Sequence, residues 1–537
     1  MLDIIRDSTA GQLIRFASGR RVLLYPEEKP SWQLNPVGTS PGRENARLSS
    51  LEAPSRADIN VSEASPSPQT ENLVDWYDDN DVENPQNWSL PKKLCVASLI
   101  NLYTFVVYGG SSIYVASIEG VKATFDVSYT AASLGLALYV LAYGLGPLLF
   151  SPLSEVPVVG RNPPYIVTLG LFVILCVPTA MVDNFGGLIT LRFLQGFFGS
   201  PCLATGAASM SDMFSPINLP YAIALWSVCA VAGPALGPLL SGFSVPAMGW
   251  RWSLWEILWA SGPVWVAFFF LLPETFSDAI LLRRAARLRR LTGNQRLKSQ
   301  GEIKQAKMTL GQSLVESLLR PVQIMILDPA ITYTAVYTSL VYGTYYSFFE
   351  ALPLVYPVFY GFTQGQIGLV FLSVLIGVLI SLAIYCLYIW AIWQPAMRTQ
   401  GLGAPENCLI PGLYACFIPP VGLFIIGWTS RASVHWIVSV IGIAIYNIGM
   451  FMMMQCLFMY LSFTYPQYAA SLFAGNDAAR SSVAAGAVLF AYPLYQNLGI
   501  GPGISILGGC TVGCIGGIFP LYFYGARLRA RSRYAVK

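Results

Sequence analysis

What most constrains this chain is where its charges are missing. No Asp, Glu, Lys or Arg occurs in residues 94–118, 127–154, 162–182, 193–211, 213–250 and 257–273, and the pattern resumes over 329–349, 351–397, 407–430, 432–476 and 481–526. A helix that crosses a bilayer needs about 20 mostly apolar residues. Turns at Gly361–Gln364, Ser462–Tyr468 and Gly499–Gly503 divide the longer runs. The first half then holds spans at 94–115, 130–150, 165–182, 187–208, 221–243 and 253–272. The second half holds them at 330–350, 364–388, 409–428, 434–461, 468–493 and 503–524. Strands in lipid would need alternating apolar residues and a closed barrel. The pattern therefore predicts an all-α integral membrane protein with twelve transmembrane helices in two six-helix halves.

Composition supports that reading. Only 11% of the 537 residues are charged, whereas a soluble domain carries about 25%. The charges are concentrated outside the spans. Residues 1–93 are rich in Ser, Pro, Asp and Glu and read as a disordered tail. The segment 273–329 links the two halves, 94–272 and 330–524, and residues 525–537 form a basic tail. The first 56 residues of the linker, 273–328, hold ten Lys or Arg against five Asp or Glu, including the run Arg283–Arg290. An even number of spans places both tails and the linker on one side, which the positive-inside rule makes cytoplasmic. The Arg283–Arg290 run reads as a topogenic loop with an interfacial amphipathic stretch. A formal net charge of +4 gives no nucleic-acid signal. The ten cysteines are scattered and the only histidine is His435, so they read as packing residues and no metal site is predicted.

Two halves joined by a long basic loop suit a secondary transporter built from repeats. The sequence holds no GxxxxGK[ST] or HExxH pattern and has a single histidine, so an ion gradient is favoured over ATP or enzyme chemistry. Three segments carry the functional expectation. After span 2, Ser151, Pro152, Ser154, Glu155, Gly160 and Arg161 form a tight turn in which one acid and one base can lock two helices and release them. Arg192 lies inside span 4, where a buried arginine marks function by default. In span 5, Gly233-Pro234 and Gly237-Pro238 lead to Gly242, and small residues four apart allow close helix approach.

With these motifs the chain resembles the fungal twelve-span drug:proton antiporters of the major facilitator superfamily, and within them the multidrug, benomyl and fluconazole resistance transporters. The likeness runs from Asn84 to Arg533. Gly249-Trp-Arg251-Trp, Leu272-Pro-Glu274-Thr, Phe349-Glu350-Ala-Leu-Pro353 and Pro405-Glu406 add to it. The resemblance implies outward transport of hydrophobic compounds in exchange for protons. It places Arg192 on the proton-coupling route, gives Glu155 and Arg161 the conformational switch, and gives Gly233, Pro234, Gly237 and Pro238 the interface that limits leak. In the second half the loop signature is degenerate, with only Arg398 and Glu406 near span 9, so locking is expected to rest on the first half.

Coupling needs a carboxylate that gains and loses a proton, and desolvation favours the protonated form. Glu350, Asp477 (with Arg480 one turn on) and Glu256 are the candidates. For a large apolar pocket with convergent polar groups, the candidates are Asn101, Tyr108, Tyr114, Tyr342, Tyr346, Asn447, Gln455, Tyr492 and Asn497. The partners expected are small hydrophobic molecules, protons and the lipid bilayer. No cofactor is expected beyond the proton gradient, and the chain is expected to act as a monomer in the cell membrane. Two other readings stay open: a specific exporter of an endogenous secondary metabolite or polyamine, and a non-transporting receptor or scaffold that works through its long tail.

Overall fold

The computed structural model describes residues 2–29, 73–305, 323–401, 403–465 and 469–532. Twelve long helical rods run through it. In the first half they are Leu90–Ser112, Leu134–Ser154, Asn162–Met181, Phe185–Gly199 with Pro201–Met213, Leu219–Met248 and Trp252–Leu271. In the second half they are Pro329–Tyr360, Gln364–Val370 with Leu372–Tyr388, Ile410–Ala415 with Ile418–Thr429, Trp436–Thr464, Ala469–Leu498 and Ile500–Arg531. These are spans 1 to 12 below. The breaks have local causes. Pro201 brings no N–H to the ladder, so span 4 divides there. Span 7 starts on an Asp328 cap that accepts the Ala330 N–H at 3.1 Å. It ends at Gly361, whose φ of +67° is the left-handed closure that glycine allows.

Packing repeats between the halves. Span 5 lies on span 1, 4 on 2, 6 on 3 and 4 on 3; likewise 11 lies on 7, 10 on 8, 12 on 9 and 10 on 9. The two seams between halves, span 2 against 11 and span 5 against 8, exchange under the same repeat. A two-fold relation built into one chain is the arrangement that lets one bundle rock against the other. Large apolar side chains stay exposed on the outer spans, such as Val167, Ile174, Ile376, Trp428 and Phe523. They form the lipid-facing surface.

Among the described residues, nine helices are long and apolar enough to cross a membrane by length and composition alone. Spans 4, 7 and 11 are not among them. Span 4 is divided, and spans 7 and 11 are diluted by tyrosine, Asn476, Asp477 and Arg480. These three spans carry Arg192, Glu350 and Asp477, so the least apolar helices hold the candidate chemistry.

The amino-terminal tail departs from the disorder expected of residues 1–93. Helices Leu2–Asp7 and Thr9–Ala17 form there, and Leu73–Val74 pairs in parallel with Lys298–Ser299. The reason is charge pairing with the linker helix Ser277–Thr292. Arg284 binds Asp81 at 2.7 Å, and Arg287 binds Glu27 at 2.5 Å and Glu83 at 2.9 Å; within the linker itself, Arg289 binds Glu302 at 2.8 Å. Arg284 and Arg287 are buried. Much of the run read as an interfacial basic stretch is therefore turned inward onto acids. Residues 30–72 of that tail lie outside the described residues, as do 533–537 of the basic tail. Span 12 continues to Arg531, beyond the boundary drawn at 524.

Candidate functional site

The centre of the molecule is a polar layer made by four spans from both halves. Span 11 brings Asp477 and Arg480, three residues apart on one helix face. The Arg480 guanidinium donates to Asp477 from Nε at 2.8 Å and reaches the Tyr108 hydroxyl of span 1 from Nη2 at 2.7 Å. It also lies 5.0 Å from the centre of the Tyr342 ring, within cation–π range. The Tyr143 hydroxyl of span 2 meets those of Tyr342 at 2.7 Å and Tyr346 at 2.9 Å on span 7. Ser111 of span 1 closes the network on Tyr346 at 3.0 Å. Tyr108, Tyr143, Tyr342, Tyr346, Asp477 and Arg480 are all buried. The contacts of Arg480 with Tyr108, of Tyr143 with Tyr342 and Tyr346, and of Ser111 with Tyr346 join one half to the other.

Close backbone approach makes this layer possible. At Gly144 an added Cβ would stand 2.8 Å from the Ser481 Oγ and 3.2 Å from the Asp477 carbonyl oxygen. The span-5 motif works in two places, one within the first half and one on the seam with span 8. Gly233 and Gly237 press span 5 onto Gly109 and Ile113 of span 1, within the first half. Gly242 meets the Gln364 carbonyl of span 8 across the halves, where a Cβ would come to 2.7 Å. Pro234 and Pro238 lie buried between them.

Arg192 is fully buried and is held by backbone rather than by a carboxylate. Its Nε donates to the Gly135 carbonyl at 3.1 Å, and Nη2 donates to the carbonyls of Gly110 at 3.0 Å and Ser111 at 3.3 Å. The rings of Tyr139 and Tyr114 lie 4.3 and 5.0 Å from its guanidinium carbon. One side chain therefore ties spans 1, 2 and 4 together. Ser111 is the junction: its carbonyl accepts from Arg192 while its hydroxyl meets Tyr346.

At the linker-face turn the ion pair differs from the sequence expectation. Arg161 does not pair with Glu155, which is exposed. It binds Asp212 at the end of span 4, Nε to Oδ2 at 2.5 Å and Nη2 to Oδ1 at 3.2 Å. Glu274, after span 6, accepts the backbone N–H groups of Arg161 at 3.0 Å and Phe276 at 3.1 Å, and pairs with Arg283 at 3.1 Å. Gly160 sits at φ +75° with the Glu274 carboxyl carbon 2.8 Å from where a Cβ would be. Only glycine suits both conditions. The Ser154 hydroxyl bonds the Ser151 carbonyl at 2.7 Å, and Ser151 and Pro152 are buried beneath the turn. In the second half the sequence pointed to Glu406 but not to the partner it pairs with. Glu406 binds Arg529 of span 12 at 2.7 and 3.0 Å, while Arg398 is exposed.

Glu350 is fully buried near the far end of span 7. It faces the hydroxyls of Tyr129 and Ser133 just before span 2, yet neither carboxylate oxygen reaches hydrogen-bond geometry among the described residues. Tyr129 stacks on Tyr492 of span 11 with ring centres 4.3 Å apart. Gln455 is buried with both ends of its amide unpartnered, and the Asn447 and Asn101 carbonyl oxygens are also unpartnered. Asn497 is exposed at the end of span 11 and is not brought to the centre. Glu256 is half-buried, with one oxygen unpartnered. Sequence reasoning missed Asp212, Tyr143 and Ser111. The charge map does carry a signal for Asp212, the only Asp, Glu, Lys or Arg between 193 and 250. Tyr143 carries none among 29 tyrosines.

Residues 100–490 match the Major Facilitator Superfamily. Over 546 residues the chain is 44% identical to the MFS-type transporter pyvG of Aspergillus violaceofuscus, covering all of both chains. It is 37% identical to a cycloheximide resistance protein of Candida maltosa, again over all of both. It is 40% identical to fluconazole resistance protein 1 of Saccharomyces cerevisiae, over 86% of this chain and 84% of that one. Among solved structures, the proton:xylose symporter XylE aligns with a TM-score of 0.58 at 13% identity, over 81% of this chain and 97% of its own. That last likeness concerns the fold alone.

Proposed function

The chain belongs to the major facilitator superfamily, and from that premise we propose that it exports structurally varied hydrophobic toxicants in exchange for protons. The relatives named for resistance to cycloheximide and fluconazole, two unlike compounds, favour a broad exporter over a dedicated one. The observation that carries the reading is the buried layer of tyrosines and the Asp477–Arg480 pair between the halves. Its contacts, Arg480 to Tyr108 and Tyr143 to Tyr342 and Tyr346, are ones that a bulky apolar guest entering between the halves has to replace.

In this proposal alternating access rocks the first bundle against the second, with the linker face cytoplasmic and the protein acting as a monomer in the cell membrane. Glu350 is the proton carrier. A carboxylate sealed in protein without a cation opposite costs several kcal/mol when ionised, and binding a proton removes that cost. Asp477 holds Arg480 in place across the seam, and a proton there loosens the hold. Arg192 belongs to the coupling route through Ser111, which it positions against Tyr346. Asn101, Asn447 and Gln455 offer hydrogen bonds to polar ends of the cargo.

The test is uptake of a fluorescent hydrophobic substrate by inside-out vesicles with an acidic lumen. Wild-type vesicles accumulate it until a protonophore collapses the gradient. Arg192→Ala, Glu350→Gln and Asp477→Asn lose that accumulation at equal protein level, and undiminished uptake in all three overturns the site. A drug panel in cells stripped of their own exporters decides breadth. Resistance to one compound only would favour the dedicated metabolite exporter.

A further inference from the structure

The helix Thr9–Ala17 is sided in a way that the transport cycle does not use. Ala10, Gly11 and Arg15 face the protein and are buried; Arg15 pairs with Glu28 at 2.8 Å beside the Tyr25 ring. On the other side Leu13, Ile14 and Phe16 are 54%, 45% and 79% exposed. The helix packs against span 6. Its position along the membrane normal is fixed twice. Ser8 forms a backbone bridge with Pro273, two residues past the end of span 6, and the Thr9 hydroxyl donates to Asn162, the first residue of span 3, at 2.8 Å. The helix therefore lies at the level where two spans leave the bilayer. Its bare apolar face adjoins the same span as Phe270 and Leu271, exposed on the lipid-facing end of span 6. Just beyond it stand Arg20 and Arg21 with Val22, and then Lys29, all exposed.

We propose that Thr9–Ala17 is an interfacial helix embedded in the headgroup layer of the leaflet on the linker face, with Leu13, Ile14 and Phe16 in the acyl boundary and Arg20, Arg21 and Lys29 on anionic lipid headgroups. A short amphipathic helix with flanking bases gains apolar burial and attraction to acidic lipid from that placement. Continuity with the lipid face of span 6 selects lipid over a protein partner. The linker helix Ser277–Thr292, which the sequence would assign to this role, has Arg284, Arg287 and Arg289 committed to acids.

The experiment places photoreactive benzoylphenylalanine at position 16 of the full chain, in nanodiscs of phosphatidylcholine with or without phosphatidylserine. Positions 270 and 10 serve as lipid-facing and buried references. Phospholipid adducts are expected at 16 and 270 and not at 10. Adding phosphatidylserine is expected to raise the yield at 16 severalfold. The triple variant R20E/R21E/K29E should remove that rise, with the yield at 270 unchanged showing that the bundle is intact. Lipid adducts at 270 without any at 16, or cross-links from 16 to a second copy of the chain, overturn the proposal. Equal yields at 16 in both lipid mixtures overturn the role given to the three bases.

Discussion

The two halves share one helix arrangement but treat their buried polar groups in opposite ways. In the first half the buried charges are committed: Arg192 to three carbonyls, Arg161 to Asp212, Glu274 to backbone N–H groups. What remains without a partner there is mostly hydroxyl, on Ser133, Ser151, Ser227 and Ser244, together with one oxygen each of Asn101 and Glu256. In the second half whole functional groups are left open. Among the described residues, both oxygens of Glu350 and both ends of the Gln455 amide lack partners, as do the hydroxyls of Tyr337, Thr344 and Tyr460. Buried polar groups are nearly always satisfied, so a concentration of open ones marks where water, proton or cargo completes the structure. The first half reads as the frame and the second as the working face.

The sharpest way to break that contrast is Arg192→Ala. It removes three hydrogen bonds from a buried guanidinium to carbonyl groups, each worth about 1.5–3 kcal/mol for a charged donor, and frees Ser111 from its place against Tyr346. Export should fall at least tenfold, by about 1.4 kcal/mol or more, and the melting temperature of the purified protein should drop with it. Arg192→Lys should restore little, because one ammonium does not span carbonyls on two helices. Full activity and unchanged melting in Arg192→Ala would mean that the first half is not a frame.

Next in size is the linker-face lock. Asp212→Asn leaves the Arg161 guanidinium buried without its counter-charge, at a cost of about 3 kcal/mol. Glu155→Gln should be near neutral, since Glu155 is exposed. Thermal unfolding of the two variants side by side decides between Asp212 and Glu155 as the partner. Adding Arg161→Gln to Asp212→Asn should recover part of the loss, as a double-mutant cycle requires of a real pair.

That pair shows how far the sequence could be read. Isolated charges inside apolar runs were legible, because a charge in lipid is costly and Arg192, Glu350 and Asp477 are conspicuous for that reason. Their partners were not. Asp212 lies 51 residues from Arg161, and only the three-dimensional return of span 4 brings it close; the neighbouring Glu155 was the natural sequence choice. The span count and the Gly361 turn were legible from charge gaps and glycine. The docked tail was not, since averaging over 93 residues hid the amphipathic start and the acids that meet Arg284 and Arg287. Aromatic partners such as Tyr143 were illegible for lack of contrast.

Glu350→Gln tests the working face. The amide fits the same space but cannot carry a proton, so folding should change by less than about 1 kcal/mol, within the range of isosteric swaps. The gradient dependence of export should disappear. Substrate binding measured without a gradient should persist, and its loss would reassign Glu350 to the cargo. Gln455→Leu, by contrast, should stabilise or leave unchanged the empty protein, because replacing an unsatisfied buried amide removes a desolvation cost. Affinity for cargo bearing hydrogen-bonding groups should weaken severalfold.

The smallest effect concerns the tail docked on the linker, which the contrast assigns to the frame. Burial works against ionisation of Asp81, but hydrogen bonds and charge from Arg284 outweigh it and hold the carboxyl below its ordinary range. A carboxyl with a depressed value in the folded state stabilises above the unfolded value, near pH 4, and loses that contribution as pH falls through the folded one. Docking of residues 73–88 should therefore be constant through neutral pH and loosen only below about pH 4, read as faster amide exchange in that segment. Glu83 acts in the opposite sense, its carboxyl pushed up by burial against the attraction of Arg287 and Arg284, which narrows the net change. Arg284→Gln should make the segment exchange faster already at neutral pH, with export by the central layer intact. If that variant instead abolished transport at normal surface level, the tail would belong to the working machinery, and the division into frame and working face would have to be redrawn around the linker.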